Sequence, residues 1–204
     1  MSLLPSVGVL ALQGDVNEHL VALEESGARA LPVKTTAELD RVDGLVIPGG
    51  ESTTVMKLID RFGLAKLIRC RSRDGMPVWG TCMGMIVLAH EVCALPQPTL
   101  DLIDISVRRN AFGRQIASAE VALPIPALGA SPFPAVFIRA PWIERVGAAV
   151  SLLASLDGHG VLVRQQNVLG SAFHPELTRD RRLHEYFISM VNEFTAIGTQ
   201  TARA

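Results

Sequence analysis

Cys82 stands in the run Pro77-Val-Trp-Gly-Thr-Cys-Met-Gly-Met85, a thiol in the pattern Gly80-x-Cys82-x-Gly84 between an apolar strand and a helix. This is the cysteine counterpart of the G-x-S-x-G nucleophile elbow. Such a turn is sharp and its central residue strained, so side chains two positions to either side would collide, and glycine removes that collision. The following helix points its N-terminus at the sulfur, and that field favours thiolate over a thiol whose unperturbed pKa is about 8.5. A cysteine merely packed in a glycine-rich turn is the competing reading. Cys70 and Cys93 lack flanking glycines and fall on predicted helix or helix-end positions, so packing alone is expected of them.

A base for such a nucleophile is offered by Phe173-His174-Pro-Glu176, which follows another apolar strand. Pro175 biases His174 toward extended backbone, so residues 174 and 176 can face the same side. A carboxylate beside an imidazole holds its tautomer and stabilises the imidazolium formed during catalysis. Cys82, His174 and Glu176 then take the parts of nucleophile, base and orienter. His-x-Glu alone is more often a surface pair; the elbow at Cys82 and the strand end before His174 are what favour the catalytic reading. His19, His90 and His184 fall in amphipathic helical stretches and His159 in a turn, where solvated or capping roles are expected.

The elements that must position these groups alternate along the first half. Strands are expected at 7–12, 28–33, 44–48 and 77–79, with helices at 15–26, 37–41, 53–71 (N-cap Ser52) and from 85 to 92. Strands that are apolar throughout, alternating with helices, imply an α/β fold with a mostly parallel central sheet flanked by helices on both faces. Ligands in such folds bind beyond the carboxyl ends of the strands. Gln13, Gly49-Gly50 and Cys82 each lie just past a predicted strand end and so outline a site. The second half adds β structure at 102–109, 115–123, 136–138, 150–156, 161–165 and 168–173, with a turn at Asn110-Ala-Phe-Gly113. A last helix is expected at 181–194, and about 197–204 reads as a flexible tail.

At 204 residues the chain fits one domain, and 49% apolar against 19% charged residues excludes a disordered chain. With a net charge of -1 and no run of Lys or Arg, the footprint of a nucleic-acid or anionic-membrane surface is missing. No secretory signal is read in Met1-Ser-Leu-Leu-Pro5 and no membrane span elsewhere. Three cysteines without a CxxC or Cys/His cluster suggest free thiols and a cytoplasmic setting.

Six segments carry a resemblance across nearly the whole length: Leu10-Ala-Leu-Gln-Gly-Asp15, Pro48-Gly-Gly-Glu-Ser-Thr-Thr54, Gly80-Thr-Cys-Met-Gly84, Val107-Arg-Arg-Asn-Ala-Phe-Gly-Arg-Gln115, Phe137-Ile-Arg-Ala-Pro141 and Phe173-His-Pro-Glu-Leu177. In this order they resemble the glutaminase subunits of pyridoxal 5'-phosphate synthase, a family of class I, triad-type glutamine amidotransferases. The resemblance implies that Cys82, His174 and Glu176 are catalytic. It implies glutamine binding by Gly50, Glu51, Ser52, Arg109, Ile138 and Arg139, and an oxyanion site from the N–H groups of Gly50 and Met83, organised by Gln13. It further implies hydrolysis of L-glutamine to L-glutamate and ammonia through a thioester, without metal or organic cofactor. The ammonia would pass to a synthase subunit within a large hetero-oligomer, and that partner would activate the chain.

Read from the residues alone, Gly49-Gly50 could be only a tight turn, Gln13 a strand end, and Arg109 and Arg139 ordinary surface charges. The sequence departs from the family where Met83 replaces the commoner alanine and where 93–101 fits poorly. Three rivals stay open: a glutaminase or γ-glutamyl hydrolase of another pathway, a non-catalytic binding subunit, and a redox-sensing thiol protein.

Overall fold

Short runs of Val, Ile and Leu that are buried at every position must lie inside a sheet covered on both faces. The computed structural model describes residues 4–109 and 118–201. Its first half runs β1 (Ser6–Leu10), α1 (Val16–Glu25), β2 (Arg29–Val33), α2 (Thr36–Leu39), β3 (Gly44–Ile47), α3 (Ser52–Arg61), α4 (Leu64–Arg73), β4 (Val78–Thr81) and α5 (Met83–Leu88). The second half adds β5 (Ala89–Cys93), β6 (Ile103–Arg108), β7 (Ser118–Leu123), β8 (Phe133–Ile138), β9 (Trp142–Val146), β10 (Ser151–Leu156), β11 (His159–Gln165), β12 (Val168–Ser171) and α6 (Arg182–Thr201).

One ten-stranded sheet runs through both halves in the order β2-β1-β3-β4-β12-β11-β9-β6-β5, with β10 added on β11. The portion from β2 to β12 is parallel throughout. Strands β7 and β8 form a separate antiparallel pair. Among the helices, α1 packs on α6, and α3 on α4 and α5. The parallel portion matters most for function, because β1, β3, β4 and β12 all deliver their carboxyl ends to one edge. From that edge emerge Gln13, Gly49-Gly50, Cys82 and His174 respectively.

Several expectations are corrected. The helix expected at 53–71 is two helices, because Gly63 takes φ +68 between them. Its N-cap is Glu51 rather than Ser52, the Glu51 carboxylate accepting from the N–H groups of Thr53 and Thr54. The helix expected to reach Val92 stops at Leu88, where Ala89 turns extended and pairs with Ile103 of β6, so His90 and Cys93 lie on a strand. Strand β9 has no counterpart among the expected elements; only one of its five residues is buried, which hides the alternation that marks a strand. The last helix continues to Thr201, with no proline to stop it after Phe194. The turn at 110–113 and residues 115–117 of a predicted strand lie outside the described residues, as do residues 1–3 and 202–204.

At the elbow the glycines are demanded by contact. A Cβ on Gly84 would sit 2.0 Å from the Ile47 carbonyl oxygen, and one on Gly80 would sit 2.4 Å from the Gly84 carbonyl. Both obstacles are backbone, which cannot swing aside. Gly84→Ala is therefore expected to lower the unfolding free energy by about 3 kcal/mol or more, read from urea midpoints. Wild-type stability in that variant would mean that β3 and α5 are not pressed together in this way.

Candidate active site

Cys82 links β4 to α5 with φ 48 and ψ -107, a conformation that costs on the order of 1–3 kcal/mol in a residue with a Cβ. The strained backbone is held by its N–H, which donates to the Ser171 carbonyl at 2.7 Å. The residue is left 7% exposed, with Sγ 3.8 Å from the Ile138 carbonyl oxygen.

His174 follows β12, its backbone N–H tied to the Val136 carbonyl of β8 at 2.8 Å. Its Nδ1 lies 2.7 Å from Glu176 Oε1 and 3.4 Å from Asp15 Oδ2. With Nδ1 committed to carboxylates, Nε2 is the nitrogen left for the sulfur. Burial pulls against charge on this imidazole, but the hydrogen bonds and charges of Cys82 and Glu176 prevail and raise its pKa to about 10. Burial pushes the Glu176 carboxyl up, opposed by His174.

Behind the carboxylate lies a cluster that helical patterning alone would leave on the surface. His19 and His184 are fully buried, correcting the solvated or capping roles expected of them. His19 Nε2 lies 3.2 Å from Glu176 Oε2 and 3.1 Å from Thr81 Oγ1, and its Nδ1 lies 3.3 Å from His184 Nε2. Trp79 presents its ring to both imidazoles at centroid distances of 5.8 and 5.0 Å. Burial, then the charges of His184 and His174, hold His19 well below its ordinary pKa. Burial, with Arg181, brings His184 down to about 3.

The opposite wall is the turn after β3. Gln13 Oε1 accepts from the Glu51 N–H at 3.3 Å, so the loop after β1 is bonded to the turn after β3. The Glu51 carboxylate accepts from Thr54 N–H at 2.8 Å and from Thr53 Oγ1 at 2.5 Å, and pairs with Arg109 at 3.0 Å. Partial burial would raise its pKa, yet the bonds from Thr53 and Thr54 hold it at about 2. Arg109 also donates to Gln97 Oε1 at 3.1 Å, and the buried Ser52 hydroxyl donates to the same oxygen at 2.8 Å. Gln97 escapes sequence reasoning because it lies within 93–101, where the family pattern is weak. Asp15 enters there only as part of a motif.

These groups surround a cleft of about 460 Å³. Gly50, Glu51, Arg109, Ile138 and Arg139 line it together with Gln13, Cys82, Met83 and His174. Ser52 and Glu176 lie behind the wall, acting on the cleft through Gln97 and His174. Arg139 takes φ 44, so β8 is followed at once by a strained residue that lines the cleft with Cys82. The bulk of Met83 is accommodated: it is 4% exposed, and a Cβ on Gly50 would lie 3.4 Å from its Cε. Among the described residues, donor atoms of Asp15, His174 and Glu176 lie within 4.8 Å of one another. The Nδ1 proton that orders the pair would have to leave before a cation could enter there.

The chain is similar to proteins of known kind along nearly its whole length. Pyridoxal 5'-phosphate synthase subunit PdxT of Streptomyces coelicolor is 56% identical over 193 residues, covering 94% of this chain and 96% of that protein. The PdxT of Mycobacterium leprae is 53% identical over 193 residues, with 92% and 97% covered. A crystal structure described as a glutamine amidotransferase superposes with a TM-score of 0.87 at 47% identity, covering 91% of this chain and 98% of that one. The pattern of one family spans residues 9–193, and by it the chain belongs to the SNO glutamine amidotransferase family.

Proposed function

We propose that Cys82, His174 and Glu176 hydrolyse L-glutamine to L-glutamate and ammonia in this glutaminase subunit of vitamin B6 biosynthesis. The observation that carries the assignment is the 2.7 Å contact of His174 with a buried carboxylate, one strand away from a strained cysteine. Residues 1–204 act as one amidotransferase domain. The free thiols Cys70, Cys82 and Cys93 suit a cytoplasmic setting.

The sulfur attacks the side-chain amide carbon, and the oxyanion is received by the N–H groups of Gly50 and Met83. Loss of one such donor typically costs about 3 kcal/mol in the transition state. His174 carries the proton taken from the thiol and gives it to the departing nitrogen, which leaves as ammonia. Part of what raises the His174 pKa is the sulfur's own charge and hydrogen bond, and forming the carbon–sulfur bond of the tetrahedral adduct removes both. Proton affinity therefore falls at the step that requires the proton to leave. His174, now neutral, takes a proton from water, which attacks the thioester to give glutamate and the free thiol.

Arg109, held by Glu51 and Gln97, is the cation suited to the α-carboxylate of glutamine. The acceptor of the ammonia is a pyridoxal 5'-phosphate synthase subunit in a hetero-oligomer, a reading supported by the names of the relatives. The bond from Glu51 N–H to Gln13 makes the oxyanion loop sensitive to whatever moves the loop after β1, which suits activation by a docked partner.

In complex with that synthase subunit, Cys82→Ala is expected to lower glutamate release by about four orders of magnitude or more; near-normal release would remove Cys82 from the chemistry. Arg109→Ala should raise KM for glutamine about tenfold with kcat little changed, and the reverse pattern in steady-state kinetics would place Arg109 elsewhere in the mechanism. Imidazole nitrogen shifts of His174 should report a pKa of about 10 in the wild type. In Cys82→Ala that value should drop, and an unchanged value would mean that the sulfur does not set it.

A further inference from the structure

Glu176 can orient His174 only if its own carboxylate is held, and β12 does not hold it. One oxygen, Oε1, takes the His174 Nδ1–H. The other, Oε2, is buried with no hydrogen bond of full geometry, although His19 Nε2 stands 3.2 Å away. We propose that His19 is a positioning residue for the triad, its Nε2–H fixing Glu176 Oε2 so that Oε1 stays on His174. This deepens the glutaminase reading above and rests on it.

The direction of the proton follows from counting partners. If His19 carries its proton on Nε2, that N–H is shared between Glu176 Oε2 and Thr81 Oγ1. Nδ1 then accepts from His184 Nε2–H, and the one orphan is the acceptor lone pair of His184 Nδ1, which has no partner among the described residues. If the proton is on Nδ1 instead, His184 must accept at Nε2. Its Nδ1–H then becomes a buried donor without an acceptor, and a lone pair of His19 faces the carboxylate. Each tautomer leaves one unpaired atom at His184 Nδ1, costing about 1–3 kcal/mol either way, and the second adds the repulsion between a His19 lone pair and the carboxylate, so the first tautomer prevails. Both imidazoles are neutral, since burial disfavours their charged forms. His19 thus offers Glu176 a dipole and no second cation, which leaves His174 as the charge that the carboxylate stabilises.

The placement is built from α1. Asp15, its N-cap, reaches His174, and His19 one turn later reaches Glu176. The charged groups around His19 are Glu176 and His174 on the β12 side and, beyond His184, Arg181 at the start of α6.

The test uses the complex with the synthase subunit. His19→Leu should lower kcat about tenfold to a hundredfold with KM for glutamine within about twofold, as expected for losing a hydrogen bond to a charged group. It should also shift the pH profile of kcat, and His19→Gln, whose Nε2 can again donate, should recover most of both. Unchanged kcat and pH profile in a folded His19→Leu would overturn the proposal. Should that variant not fold, the wild type decides: imidazole nitrogen shifts must show His19 neutral and protonated at Nε2, and a proton on Nδ1 or a charged ring overturns it. Failure of the triad itself reads differently, since Cys82→Ala would then keep activity.

Discussion

The backbone crossing at the Cys82 elbow is the constraint on which the rest of the site depends. Strand β4 must end at a residue twisted to φ 48, and α5 must begin at once, pressed so closely on β3 that glycine is required at 80 and 84. Isolated chain would not adopt this turn, because nothing local repays the strain. The central place of β4 supplies the restraint. It is hydrogen-bonded to β3 on one side and β12 on the other, and the Cys82 N–H extends the second ladder to Ser171. The same ladder sets His174, three residues beyond Ser171, where it interacts with the Cys82 sulfur. One parallel pairing therefore fixes Cys82 and His174, the proposed nucleophile and base, together.

Around that axis the polar groups divide by burial. At the cleft mouth, where water still screens, the structure uses full charges: Glu51 with Arg109, ordered by Gln97 and by the first turn of α3. Behind the triad, where water is excluded, the partners of Glu176 are imidazoles, one protonated and one neutral. A second buried cation would have been costly to desolvate and would have weakened the hold of Glu176 on His174. A neutral histidine, its Nε2 3.1 Å from a threonine hydroxyl, faces the carboxylate with a dipole instead.

What the sequence disclosed and what it concealed divide by range of interaction. The elbow, the His-Pro-Glu segment and the four strands that feed the site were legible because each is a local pattern: glycine spacing, a proline bias, a short apolar run. Helix α3 was misjudged at its start because Glu51, not the adjacent serine, swings its carboxylate over the first turn. Strand β5 hid inside a helical pattern because its pairing with β6 is a tertiary choice. The burial of His19 was illegible for the same reason. Its partner His184 is 165 positions away, and on its own helix a histidine beside Asn17 and Glu18 reads as solvent-facing. Gln97 was concealed likewise, since it meets Ser52 and Arg109 from a loop without periodicity.

The arrangement also bears on how one imidazole serves as both base and acid in a single cycle. In the proposed mechanism, a histidine whose pKa were raised by fixed carboxylates alone would hold its proton while the tetrahedral adduct collapses, and the nitrogen would have to leave as an amide anion, a poor leaving group. Here the largest opposing influence on His174 is burial, which favours the neutral ring, and the sulfur is among the groups that overcome it. Acylation neutralises the sulfur while burial and Glu176 stay as they were. In the proposed cycle the balance then moves toward the neutral ring, which gives its proton to nitrogen and is left free to serve as the base for water. Burial of His174 is thus part of the chemistry: in an open, well-hydrated site the same change at sulfur would be screened and would move the imidazole far less.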